Sequence, residues 1–102
     1  MSNTENKLRN DIILEINSEL EYSNKKWGTE FDNKNTSNDW VAYITHQVGK
    51  AVTLSLNRYE FEVRMKKVAG LAISAIEASR RNGGPAPRHY DNNHYNEELL
   101  EC

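Results

Sequence analysis

Between residues 61 and 76, apolar side chains return every three or four positions: Phe61, Met65, Val68, Ala69, Ala72, Ile73 and Ile76. This period constrains the chain more than any other feature, because it puts all of them on one face of a helix, whereas a strand would need alternation at every second residue. It predicts a helix over about 58–81. Asn57 stands at its start as a cap, with Glu60 three residues on. Arg80 and Arg81 fall in the last turn, where cations favour the macrodipole, and Asn82, Gly83 and Gly84 stop it. Small residues at Ala69, Gly70, Ala72, Ala75 and Ala78 allow a neighbouring helix to come close.

Two further segments carry the same period. Leu8, Ile12, Ile16 and Leu20, widened by Ile13, predict a first helix over about 5–26, with Asp11, Glu15, Glu19 and Glu21 ahead of Lys25 and Lys26 on its other face. Gly28 ends it, and the turn formers that follow read as a loop. Thr36 and Asp39 make a capping box, so a second helix begins near Ser37 and runs to about 56 through Trp40, Val41, Ile44, Val48, Ala51 and Val52. The short connection to the third helix predicts an antiparallel pair. The expected fold is all-α: three amphipathic helices forming a helical domain over 1–82, then an irregular tail over 83–102 with a short helical turn at 97–100.

Composition sharpens this. A chain of 102 residues is one domain at most, and with 37% hydrophobic residues, 27% charged and a mean hydropathy of −0.83 its core is thin or shared. Broad stripes with too little to cover them predict a symmetric dimer or tetramer. The formal charge of −2, from 13 basic and 15 acidic residues, supplies no global field for duplex nucleic acid or an anionic membrane. Cys102 is the only cysteine, which rules out an internal disulfide framework and a multi-cysteine zinc site and suits a reducing, cytoplasmic setting. No apolar run approaches the roughly 18 residues of a membrane span.

Few residues form a chemical pattern. Glu15 and Glu19 lie four apart and could share a hard cation such as Mg²⁺, but two acids make only a partial site, and an exposed acidic face is the plainer reading. His46, His89 and His94 form no HExxH or similar ligand spacing, and no GxSxG, Walker or GxGxxG pattern is present. Aromatic and cationic groups offer more: Lys26 with Trp27, Trp40 with Tyr43, and Arg88, His89 and Tyr90 in the tail combine flat faces with positive charge. Such pairs suit a base stacked on a ring and a phosphate held by a cation. Tryptophans in a small protein also serve as core or interface anchors, and that alternative stays open.

Residues 19–28, ELEYSNKKWG, resemble the ER-x-x-Q-x-x-KWG opening of short MazG-like proteins common in phage and prophage genomes. Residues 39–44, DWVAYI, are similar to the following W-L-x-x-L helix of that family, and residues 67–77, KVAGLAISAIE, with Arg80 beyond, resemble its last core helix. The resemblance implies an oligomeric all-α scaffold, used in the wider superfamily to hydrolyse nucleoside triphosphates to the monophosphate and pyrophosphate with Mg²⁺. Where relatives read T-EE-VGE, this chain reads Thr45, His46, Gln47, Val48, Gly49 and Lys50. All three acids are replaced, and both metal binding and activation of a water need anionic oxygens there.

The expected function is therefore binding without catalysis: a nucleotide or phosphorylated small molecule held without a cofactor, on a phage-encoded sponge for a nucleotide defence signal if the resemblance extends so far. The candidate ligand-binding residues are Lys26, Trp27, Trp40, Tyr43, His46, Lys50, Arg88, His89 and Tyr90, with Trp27 stacking the base and Lys26, Lys50 and Arg88 meeting phosphates. One alternative is a surviving pyrophosphohydrolase with Mg²⁺ on Glu15, Glu19, Asp32 and Glu77. The other is an interaction module or inhibitor of a host enzyme, whose tail orders on its partner.

Overall fold

Three helices stand where the apolar periods place them, and a fourth fills part of the expected loop. The computed structural model describes residues 3–53 and 57–90. In chain order the helices are α1 (Asn3–Trp27), α2 (Thr29–Asn33), α3 (Ser37–Thr53) and α4 (Arg58–Asn82). Helix is the regular structure of these residues; the connections and residues 83–90 are irregular and carry one isolated parallel bridge, between Thr36 and Ala86. The expected last turn of the second helix, at 54–56, and the expected turn at 97–100 lie outside the described residues, as do His94 and Cys102.

The caps act as the sequence predicts. At the start of α3 the Thr36 hydroxyl accepts from the Asp39 backbone N–H at 3.2 Å, and the Asp39 carboxylate accepts from the Thr36 N–H at 2.9 Å. At the start of α4 the Asn57 side chain accepts from the Glu60 N–H at 2.8 Å. Gly83 closes α4 in the left-handed conformation, with φ 72°, and its N–H donates to the Ser79 carbonyl.

α2 corrects the reading of residues 28–36 as loop. Gly28, at φ 78°, ends α1 and lets the chain turn and restart at once. Glu30 and Asp32 suit the positive end of the new helix, and the Phe31 ring settles 5.8 Å from that of Trp27. Turn-forming composition hid a five-residue helix whose stability comes from this contact and from α4.

α4 is the common support. α1, α2 and α3 each lie against it, while the backbones of α1 and α3 stay apart from each other. α3 and α4 run antiparallel, as expected: Gln47 meets Arg64 near one end, and Asn35, just ahead of α3, meets Ala86 beyond the other. Gly70 faces α1, where an added Cβ would lie 3.7 Å from the Leu20 side chain, an ordinary contact.

The core is small. Among the described residues only Ile16, Trp40 and Ala78 are buried apolar side chains. Leu8, Ile12 and Ile13 on α1, Val48 and Val52 on α3, and Phe61, Met65, Ile73 and Ile76 on α4 all remain exposed. The stripes that mark these helices in the sequence are therefore only partly used within one chain.

Polar bonds do part of the work that apolar contact does elsewhere. Arg81 donates to the Asn33 side-chain oxygen at 3.1 and 3.3 Å, and Asn82 donates to the same atom at 3.0 Å. The Ala86 N–H donates to the Asn35 carbonyl at 3.1 Å, and the Asn38 amide donates to the Tyr90 hydroxyl at 3.2 Å. The start of the tail thus runs back over the α2–α3 junction. Loss of the cap in Asn57→Ala should lower stability by about 1 kcal/mol. Thermal unfolding would register that as a fall in Tm of about 4–8 °C for a domain of this size.

Candidate functional site

Because α1 and α3 stand apart on α4, a trough opens between them with α4 as its floor and α2 at one end. It forms a cavity of about 950 Å³, in the upper part of the range for small-molecule sites. One end is aromatic. Trp27 and Phe31 lie with their rings tilted by 36°, and the Lys26 ammonium sits 5.1 Å from the Trp27 ring centroid. Trp27 is 61% exposed, so its face is open to a ligand rather than buried in the fold. Trp40 behaves oppositely: it is buried, edge-on to Tyr43 at 6.1 Å, and forms cavity wall.

The polar lining has two registers. Lys26, Lys66 and Lys67 bring cations to the cavity, and Glu19 and Asp32 bring acids. Lys66 is already engaged, donating to Glu15 at 3.1 Å, and that hydrogen bond raises its pKa. Asp32 is held above its ordinary value, first by burial, with Arg81 pulling it back and Glu77 pushing it further up.

Two donors in the wall lack acceptors. Asn35 is buried, and its side-chain oxygen accepts from the Tyr43 hydroxyl at 3.2 Å, but its amide nitrogen has no partner; the same holds for the indole N–H of Trp40. A sealed donor without an acceptor costs about 1–3 kcal/mol.

Of the residues singled out in the sequence, the cavity brings together Lys26, Trp27, Trp40, Tyr43 and His46. It does not bring in the others. Lys50 lies one turn beyond His46 on α3, half-buried and outside the lining. Arg88 is stacked over Tyr90 at 4.6 Å and His89 lies edge-on to Tyr90 at 5.2 Å, so these three form a cluster of their own against the start of α3. The four acids proposed for Mg²⁺ do not converge either: Glu19 and Asp32 line the cavity, Glu15 is bonded to Lys66, and Glu77 lies near Asp32. Among the described residues no three side chains of His, Cys, Asp or Glu form a group able to hold a metal ion.

Sequence reasoning missed Asn35, Lys66 and Lys67 as cavity residues and treated Gln47 only as a replaced acid. Asn35 sits in a run of polar turn formers where nothing sets it apart. Lys66 and Lys67 fall beside the apolar stripe of α4 and look like solvated charge.

Comparison with known proteins returned no match to any family model, curated protein or solved structure. Burial of the Asp32 carboxyl in the cavity wall also bears on stability. A raised pKa means that folded Asp32 holds its proton more tightly than unfolded Asp32, so its contribution to stability falls as pH rises above the ordinary value of 3.8. Asp32→Asn should accordingly raise Tm at neutral pH, and the gain should fade as the pH falls through the raised folded value and be gone below 3.8. Paired thermal melts across that range check both the sign and the window.

Proposed function

We propose that this chain binds a nucleotide, or a closely related phosphorylated aromatic molecule, in the trough between α1 and α3 and does not hydrolyse it. The observation that carries the reading is the convergence of an open Trp27 face and the Lys26, Lys66 and Lys67 ammonium groups on one cavity. A flat base stacks on an exposed indole regardless of its identity, and its phosphates are met by lysines.

The MazG-like resemblance agrees with this assignment. Two of the three positions where it expects metal-binding acids, His46 and Gln47, line the cavity, and neither side chain supplies an anionic oxygen. On this reading the scaffold keeps a nucleotide site and has lost the chemistry, as a sponge for a nucleotide signal requires. The exposed apolar faces of α1, α3 and α4 support a homo-oligomer in solution, since contiguous apolar surface of this kind marks interfaces. The same faces are what favours the second reading, an interaction module whose partner is another protein.

A thermal-shift screen against mono-, di-, tri- and cyclic nucleotides, with and without Mg²⁺, tests the proposal. At a hundredfold excess over Kd a ligand adds about 2.7 kcal/mol to the folded state, a shift easily seen. The expected result is a raised Tm without need of Mg²⁺, with the ligand recovered intact by chromatography. Trp27→Ala should weaken the interaction about tenfold to a hundredfold, the range of one lost stacking contact. Release of pyrophosphate would restore the enzyme reading, and no shift with any nucleotide would leave the protein-partner reading standing. Sedimentation at micromolar concentration should show a species larger than the monomer; a clean monomer would remove the oligomer from the proposal.

A further inference from the structure

Three side-chain nitrogens among the described residues are closed off without a hydrogen-bond partner: Asn35 Nδ2, Trp40 Nε1 and Arg64 Nε. All three are donors. Asn35 and Trp40 belong to the aromatic half of the cavity, but Arg64 lies just outside its lining, nearer the start of α4, behind the lining residue Gln47, whose Oε1 accepts from Arg64 Nη1 at 2.9 Å. Arg64 is half-buried, and this neutral amide is its one hydrogen-bond partner among the described residues. The ion pairs there are Lys7 with Asp11, Arg58 with Glu62 and Lys66 with Glu15; none includes Arg64.

A guanidinium drawn partly out of water normally finds a carboxylate, because its desolvation is otherwise uncompensated. Here it finds only an amide. Its planar fork is suited to two oxygens of one phosphate. Lys67, which lines the cavity, follows Arg64 by three residues on the same face of α4. From Trp40 to Gln47 the α3 wall rises by about 10 Å, at roughly 1.5 Å per residue. That is the reach of a nucleoside diphosphate from base to terminal phosphate.

Building on the nucleotide reading, we propose that Arg64 and Gln47 form the oxyanion anchor of the cavity and fix the direction in which the ligand lies. The base occupies the end bounded by Trp27, Phe31 and Trp40, and the phosphates extend along α3 and α4 to Arg64 and Lys67. Nε is shut off from solvent, so the phosphate engages the Nη edge to which Gln47 is bonded. Gln47 gives up Nη1 by turning its amide, whose own N–H groups then donate to the same anion. Lys50, one turn past His46, adds positive field at this end without contact.

Isothermal titration of the full chain with the four ribonucleoside triphosphates, their nucleosides and inorganic pyrophosphate decides the matter. The unsubstituted protein should bind a triphosphate about tenfold or more tightly than its nucleoside, the gain expected of a charge-assisted hydrogen bond. Arg64→Met should bring the triphosphate down to the nucleoside's affinity and leave the nucleoside unchanged. In case that variant does not fold, Gln47→Glu gives an independent arm: the new carboxylate pairs with the guanidinium, so Tm should rise while triphosphate and pyrophosphate binding fall about tenfold or more. If a folded variant of either kind holds triphosphate as the unsubstituted protein does while Trp27→Ala does not, the anchor is wrong and the nucleotide site stands. Arg64-dependent binding of pyrophosphate with no nucleotide binding would do the opposite, keeping the anchor and discarding the nucleotide. Absence of binding by every probe overturns both.

Discussion

Everything else in the molecule depends on α4 carrying three helices that do not all carry one another. α1 and α3 reach it from different sides and stay apart. In a closed three-helix bundle that gap would be filled by side chains from both neighbours, and the chain would have no cavity of this size. Here Ile16, Trp40 and Ala78 are the only buried apolar residues among those described, too few to draw the two helices together. The trough and the thin core are thus one fact seen twice: apolar area that would have sealed the bundle is left on its outside, at Leu8, Ile12, Phe61 and Ile76.

The junction between α2 and α3 is held by other means. Asn33 accepts from both Arg81 and Asn82, the Asn35 carbonyl accepts from Ala86, and Asn38 donates to Tyr90, so the end of α4 and the chain just beyond it fix a stretch with almost no apolar content. Such bonds contribute modestly one by one, but they are directional and set the position of the backbone. They bring Asp32, Asn35, Trp40 and Tyr43 to the cavity as one wall. The cost appears as the unpaired Asn35 amide, whose oxygen is already committed to Tyr43.

How much of this could be read from the sequence divides along physical lines. The three long helices, both caps, the stop at Gly83 and the antiparallel pair follow from period and local chemistry, which act within a few residues. α2 was not legible, because a five-residue helix has no period to speak of and exists only through Trp27 and α4. Among candidate site residues, Trp27 and Lys26 were found because adjacent aromatic and cationic groups stand out locally, while Asn35 and Lys67 became cavity residues only through contacts far away in sequence. Arg88, His89 and Tyr90 gave the same local signal as Lys26 and Trp27. The fold gathers them instead into a stack on the α3 start, where they satisfy one another.

The neutral amide at Gln47 decides what the cation opposite it can do. A carboxylate at that position would close on Arg64 as a partly buried salt bridge, and an incoming phosphate would have to displace it against both Coulomb attraction and geometry. Alternatively the carboxylate would take a metal, and the cation beside it would oppose that metal's charge. An amide does neither. It holds the guanidinium through one uncharged hydrogen bond and leaves its charge without an ion-pair partner among the described residues. With an amide at Gln47 and a lysine at Lys50, this stretch of α3 offers a metal cation no anionic oxygen.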